Sequence, residues 1–350
     1  MRLSSWRRSL YFKSPSVSTL LRRLRYRSHD PRDQHSVETF LDLVRSVNAF
    51  VVAGMGGLTS AFPGYAVMVL DTLALAQACG VRTVLLGQGL GPLDSNLEEL
   101  SQRVLRQVDY IALREGLHGP SLLRKWGLKD EQWSVTGDDA VELAFQNRPG
   151  TVGHAIGINL RIADYSGMTS DVIDELRAPL HEVARTLRAP LRVIPISRLP
   201  EEDDASCARA LIAGYPDVEP FHTVPDDPVA VIREIQQCRI VVTGSYHAGV
   251  FALAQGIPVV GLVASDYYQW KFEGLAWQFG EGCCILRLET STDLVELRRM
   301  VCHLWLNAPR MQTELLLSAQ QQQEAGTAAY AHVSRLVTSR SRERDRCVSR

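Results

Sequence analysis

RIVVTGSYHAGVFALAQGIPVVGLV, residues Arg239 to Val263, is the stretch from which the rest of the chain can be ordered. An apolar run ends in Thr243-Gly244-Ser245-Tyr246-His247, a helix-length apolar segment follows, and Gly256-Ile257-Pro258 breaks it before a second apolar run. The pattern predicts strand, polar turn, short helix, strand. It puts His247 where the carboxyl end of a buried strand enters a helix, the place where open α/β sheets bind ligands and helix amides favour an anion. The plain alternative is that His247 only starts the helix and Tyr246 packs.

The same rhythm runs outward from this stretch. Upstream, a helical pattern from Ser36 (Val37, Phe40, Leu41, Val44, Val47) leads to a strand at Ala49 to Ala53 and then to Gly54-Met55-Gly56-Gly57-Leu58. After a helix from Val67 to Cys79, a second strand at Thr83 to Leu86 ends in Gly87-Gln88-Gly89-Leu90-Gly91-Pro92-Leu93. Both glycine-rich stretches predict sharp turns at which the backbone can approach a ligand. Neither has dinucleotide or Walker spacing, so a tight structural turn explains them equally well. A strand at Tyr110 to Leu113 delivers Arg114-Glu115, where Arg114 could clamp an anion or pair with a neighbouring acid. Another, at Trp133 to Thr136, closes on Gly137-Asp138-Asp139, paired acids of the kind that cap a helix.

Asn147-Arg148-Pro149-Gly150 is polar and rich in breakers, which predicts a domain boundary. The second half opens on the strand Ala155 to Arg161 and continues with a helix from Val172 to Leu187, the strand Leu191 to Ile196 and a helix from Asp203 or Asp204 to Ala213. Asp227-Pro228 starts a helix that runs into the opening stretch. Beyond it, Ser265 to Lys271 reads as an aromatic loop holding one cation, Lys271, whose alternative is a snorkelling surface lysine. After a last strand at Ile285-Leu286, two helical stretches take the chain past Gln320 to Gln323 to Val337, and the charged end from Ser339 reads as frayed.

Strands alternating with helices in this way predict parallel sheet. The expected fold is α/β with two Rossmann-like parallel-sheet domains, at 36–148 and 149–310, between a basic extension at 1–35 and a C-terminal helix and tail at 311–350. At 350 residues, 45% hydrophobic and 22% charged, the chain is long enough for two cores. A formal net charge of −1 gives no global pull toward nucleic acid, and no nucleic-acid partner is expected. The basic arm, with Arg7, Arg8, Arg22, Arg23 and Arg25, reads as a mobile or poorly structured extension, with contact to an anionic membrane surface as the alternative. Seven scattered cysteines without C-x-x-C or zinc-finger spacing fit a reducing cytoplasm and no structural metal.

Ser245-Tyr246-His247-Ala248-Gly249-Val250-Phe251-Ala252-Leu253, with Gly256-Ile257-Pro258 behind it and Lys271-Phe272 further on, resembles the C-terminal signature of the polysaccharide pyruvyl transferase family. The loop around Gln88-Gly89, the Thr136-Gly137-Asp138-Asp139 turn and Gly157-Ile158-Asn159-Leu160-Arg161 agree with it, over a region from about Ala49 to Gly280. The resemblance implies a glycosyltransferase-B-like fold and transfer of the enolpyruvyl unit of phosphoenolpyruvate to sugar hydroxyls, often closing a cyclic ketal. It gives Lys271 the position of the family's lysine and Gly56-Gly57 that of a glycine-rich turn lining the cleft. Two departures stand out. The opening strand and Gly/Asn-rich turn usual in the family have no counterpart before Ala49, so the N-terminus is atypical. Ser245-Tyr246-His247 stands where many members carry Arg-Leu-His.

A site for phosphoenolpyruvate needs cations and amides for its phosphate and carboxylate, an acid to protonate the methylene carbon, and help in removing the hydroxyl proton. Histidine suits the acid because its ordinary pKa lies near neutrality. The resulting expectation makes His247 the acid, or the phosphate ligand that becomes one, Asp138 or Asp139 the base and Arg161 the main anion clamp. Arg114, Lys271, Ser245, Tyr246, Gly56, Gly57, Gln88 and Gly89 complete the substrate site, with no metal and no cofactor. The partners are phosphoenolpyruvate and a saccharide acceptor, whose lipid linkage is left open. One rival is a nucleotide-sugar glycosyltransferase of the same fold, against which stands the lack of any Asp or Glu between Ser245 and Val263 to hold a ribose. The other is a non-catalytic sugar-binding relative.

Overall fold

The computed structural model describes residues 31–197, 204–219, 227–288 and 293–348. They fall into two compact units, one of residues 31–114, 118–136 and 326–348, the other of 115–117 and the described part of 137–325.

The first unit begins with helix α1 (Pro31–Ser46) and strands β1 (Ala49–Val52) and β2 (Met55–Leu58). Helix α2 (Pro63–Ala78) leads to β3 (Arg82–Leu90), α3 (Ser95–Leu105) to β4 (Tyr110–Leu113), and α4 (His118–Lys125) to β5 (Trp133–Val135). All pairings are parallel, in the order β1-β3-β4-β5, with β2 also pairing with β3. Alternation along β3 and β4 sorts two faces. Leu85, Ile111 and Leu113 pack with Leu70, Leu73, Leu100 and Leu123 from the helices. Val84, Leu86, Tyr110 and Ala112 pack on the other face with Ala329 and Val333. Asp94 sets the start of α3 by accepting from the Leu97 amide at 2.9 Å.

In the second unit α5 (Ala140–Gln146) precedes β6 (Ala155–Asn159), α6 (Ser170–Leu187), β7 (Leu191–Val193), α7 (Asp204–Ile212), α8 (Pro228–Ile235) and β8 (Cys238–Thr243). Then come α9 (Tyr246–Ala254), β9 (Val259–Val263), α10 (Asp266–Phe279), β10 (Cys283–Arg287) and α11 (Asp293–Val348). The parallel sheet has the order β10-β9-β8-β6-β7. The chain lays β7 on one side of β6 and then returns to lay β8 on the other, so the connections diverge between β6 and β8. Such a topological switch point opens a crevice at the carboxyl ends of the strands.

Several expectations change. Gly56-Gly57 and Gln88-Gly89 lie in strands β2 and β3, where turns were expected. The aromatic segment at 265–271 is helical, because Ser265 caps it through the Tyr268 amide and Phe272 and Leu275 bury its inner face. The two final helical stretches are one helix, α11, which continues to Val348 where a frayed end was expected. The second unit starts at Gly137, ahead of the expected boundary at Asn147 to Gly150, since α5 packs against α9. Residues from Gly326 join the first unit, where a separate tail was expected, because Ala329 and Val333 fill its core. Of the basic arm, residues 1–30 lie outside the described residues. Among the described residues no helix is long and apolar enough to cross a membrane.

Candidate functional site

The switch point of the second unit gathers five of the residues singled out from the sequence. Asn159 and Thr243 are register partners at the ends of β6 and β8, and the chain places Arg161 and Ser245 two residues beyond each. Helix α9 starts directly after Ser245 and is apolar all round, with eight of its nine residues buried. His247 alone on that helix is exposed. An exposed histidine at the entrance of a buried helix, its ring 5.5 Å from that of Tyr246 and 6.4 Å from that of Phe251, is better material for a ligand contact than for a core. The Ser245 hydroxyl makes no capping bond, leaving the first-turn amides without that cap.

Arg161 is held firmly. Its Nε donates to Asp204 Oδ1 at 2.8 Å, and Nη2 and Nη1 reach Asp204 Oδ2 and the Tyr165 hydroxyl, each at 3.4 Å. Burial alone would lower the guanidinium pKa, but the hydrogen bond and charge of Asp204 outweigh it and hold the group above its ordinary value. Arg161 is therefore a permanent cation, with part of its donor fork turned toward the protein.

Lys271, half-buried on α10, places its ammonium 4.0 Å from the ring centre of Tyr267, 5.3 Å from Tyr268 and 5.4 Å from Tyr246. These are cation–π distances. Tyr165 stacks on Tyr268 at 6.2 Å, and the Ser265 hydroxyl donates to the Tyr165 carbonyl at 3.0 Å. The loop after β6, the start of α9 and the start of α10 are thus bound into one aromatic and cationic wall. Gly249 and Gly261 let α10 approach, since a Cβ on either would press on Phe272.

Asp138 and Asp139 precede α5. Asp138 Oδ1 accepts from the Ala140 amide at 3.0 Å, so this carboxylate serves the turn, while Asp139 is exposed and makes no capping bond.

The remaining candidates form a separate cluster in the first unit. Arg114 is buried, and its guanidinium lies between Gly56 and Gly89: a Cβ would sit 2.5 Å from Nη2 at the first and 2.6 Å from Nε at the second. These glycines make room for an arginine, where a close approach of backbone to ligand was expected. Gln88 is fully buried and donates from Nε2 to the carbonyls of Val52 and Leu86, at 3.2 and 2.8 Å, which joins β1 to β3. A Cβ on Gly57 would meet the Tyr65 ring at 2.7 Å.

Sequence reasoning missed Asp204, Asn159, Thr243 and Tyr165 as parts of the site. Asp204 reads only as a helix start, and nothing in a linear sequence pairs it with an arginine 43 residues away. Burial pushes the thiols of Cys238 and Cys283 upward, so neither offers a thiolate nucleophile. No group of three or more His, Cys, Asp or Glu suited to a metal occurs among the described residues.

A family profile described as polysaccharide pyruvyl transferase matches residues 2–266, beginning well upstream of Ala49. No curated protein matches the sequence. Among solved structures, UDP-GlcNAc 2-epimerase from Neisseria meningitidis bound to UDP-GlcNAc is similar at 12% identity and a TM-score of 0.57, over 88% of this chain and 82% of that one. The S. aureus MnaA-UDP co-structure gives 12% identity and 0.58, over 87% and 79%. Anabaena Alr3699/HepE in complex with UDP gives 12% and 0.53, over 85% and 81%. These likenesses establish a glycosyltransferase-B-like fold of two parallel-sheet domains.

Proposed function

The chain belongs to the polysaccharide pyruvyl transferase family, and on that premise we propose that it moves the enolpyruvyl unit of phosphoenolpyruvate onto a sugar hydroxyl of a polysaccharide or its precursor. The observation that carries the reading is the convergence of Arg161, Lys271 and the Ser245–His247 entrance of α9 at the switch point of the second sheet. Two fixed cations and a helix N-terminus suit a small donor that carries both a phosphate and a carboxylate.

In this reading His247 protonates the methylene carbon of the enol ether. Positive charge develops at the adjacent carbon, the acceptor oxygen attacks it, and its proton passes to a base, for which Asp138 and Asp139 are the candidates. The carbon–oxygen bond to phosphate then breaks, inorganic phosphate leaves with the bonding pair, and return of a methyl proton to His247 restores the double bond of the transferred enolpyruvyl ether. Attack by a second hydroxyl at the same carbon would close a ketal. Arg161 and Lys271 hold the anionic groups throughout and stabilise departing phosphate.

The structural neighbours named with UDP or UDP-GlcNAc raise a nucleotide sugar as the competing donor. The residues from Ser245 to Val263 offer it no carboxylate for a ribose. Thermal melts separate the two. A ligand at a hundredfold excess over its Kd stabilises the native state by about 2.7 kcal/mol. Phosphoenolpyruvate should raise the melting temperature, less so at high salt, and UDP sugars should not. Stabilisation by a UDP sugar without any by phosphoenolpyruvate would overturn the proposal. A cytoplasmic protein whose basic arm meets an anionic membrane fits this role.

A further inference from the structure

We propose that Asp204 is the positioning residue of the anion site, fixing Arg161 and the first peptide of α9 in one register; the proposal rests on the reading of that site as the donor pocket. The Asp204 side chain is 1% exposed and both of its oxygens accept hydrogen bonds. It accepts from Arg161 Nε, Asn159 Nδ2 and the Ile196 amide, each at 2.8 Å, and from the Ser197 amide at 2.9 Å. Oδ1 takes the Nε bond, and Oδ2 takes the other three together with the 3.4 Å contact from Arg161 Nη2. The first residue of α7 thereby ties the segment after β6 to the segment after β7.

The connection continues across the sheet. Asn159 gives its second N–H to the Ile194 carbonyl at 2.7 Å, and its Oδ1 accepts the Thr243 hydroxyl at 3.2 Å. Thr243 Oγ1 in turn accepts the Ser245 amide at 2.8 Å. The hydroxyl proton of Thr243 lies within reach of both Asn159 Oδ1 and the Ser245 carbonyl, the latter at 3.3 Å, so Thr243 holds both ends of the turn, and bonds linked this way strengthen one another. Ser245 N is consumed by the line and is not itself a ligand donor. What the line sets is the orientation of the peptide that opens α9, and so the direction of the amides after it. Arg161 and the helix entrance, the two anion-facing parts of the pocket, hang from one buried carboxylate.

Positioning and simple neutralisation predict opposite results. If Asp204 only cancelled the charge of Arg161, Asp204→Asn would free the guanidinium and tighten anion binding. If Asp204 positions it, the same change weakens binding by tenfold or more, on the order of the loss of one well-aligned charged contact. Calorimetric titration of the full-length protein with phosphoenolpyruvate and, separately, with inorganic phosphate reads the sign directly. Thr243→Val, isosteric and leaving the ion pair untouched, keeps the test available if Asp204→Asn does not fold. It should weaken both anions by a smaller factor, and the double variant should bind no worse than Asp204→Asn alone, because both changes cut one line. Unchanged or tighter binding in either variant, or multiplying losses, overturns the proposal. Wild-type binding of phosphate without phosphoenolpyruvate would sink the donor reading while the Asp204 effect is still read on phosphate. Binding of neither anion would sink both.

Discussion

Gly167 lies in the loop that carries Arg161 and Tyr165, and replacing it with alanine tests whether that loop is held where the site needs it. Its φ is +72°, and a Cβ would run into the carbonyl oxygen of Ala264 and come within 2.7 Å of its carbon. Ala264 follows β9 directly, and Ser265 next to it is committed to capping α10, so the loop must yield. Two costs add. Left-handed backbone costs a side chain roughly 1–2 kcal/mol, and overpacking against fixed atoms roughly 1–3 kcal/mol. Reduced freedom of the unfolded chain returns about 0.4–1 kcal/mol. The expected net loss is roughly 2–4 kcal/mol, or about 5–15 °C in melting temperature for a domain of this size. Gly214→Ala is the control, with φ +82° and nothing within 4 Å, so it carries the backbone cost alone. It should lose about 1 kcal/mol. Calorimetric melts of both variants, with and without phosphoenolpyruvate, give the comparison. Gly167→Ala should also lose most of the ligand-induced shift, since a displaced loop takes Tyr165 out of its stack on Tyr268, whereas Gly214→Ala should keep it. Equal destabilisation by the two, or a full ligand response from Gly167→Ala, would refute the reasoning.

His247→Ala should leave the melting temperature within about a degree, because the side chain is exposed, while turnover falls by about 10²–10⁴ as expected for a lost acid; near-full activity in the purified variant removes His247 from the mechanism. Gly89→Ala should destabilise the first unit by roughly 1–3 kcal/mol in chemical denaturation, because Arg114 has Gly56 at its other face and cannot retreat. Adding Arg114→Ala should relieve much of the loss; if Gly89→Ala instead leaves stability intact and impairs acceptor use, the glycine serves a ligand.

The stretch from Arg239 to Val263 was legible because every local cue agreed: apolar runs of strand length, a polar turn, and a Gly-Ile-Pro break, realised as β8, α9 and β9. The exposure of His247 on an otherwise buried helix could also be anticipated from its place as the one polar residue of the first turn. The glycine-rich stretches misled because glycine permits a turn without requiring one. At Gly56 and Gly89 the missing Cβ is filled by Arg114, a long-range fact with no local mark. The aromatic run at 265–271 carries weak helix formers, and its helicity comes from the Ser265 cap and from burial against β9. Strand order was out of reach for the same reason that Asp204 was. The partner of each group lies tens of residues away, and only the divergence of β6 from β8 brings Asn159, Thr243 and Arg161 into one network.

The entry of Ala329 and Val333 into the core of the first unit has a consequence for how the chain is made. Val84, Leu86, Tyr110 and Ala112 are synthesised before the second unit, and the residues that cover them after it. At roughly 5–20 residues per second, the interval from β4 to Val333 is about 10–40 s. For that time a sheet with one finished face presents the other, apolar and uncovered, to solvent. Domain-by-domain folding in order of synthesis is closed to this protein. Its first unit is completed only after the second has been synthesised, so nascent chains stalled before Ala329 would carry a sticky, half-built sheet and be natural clients for chaperones.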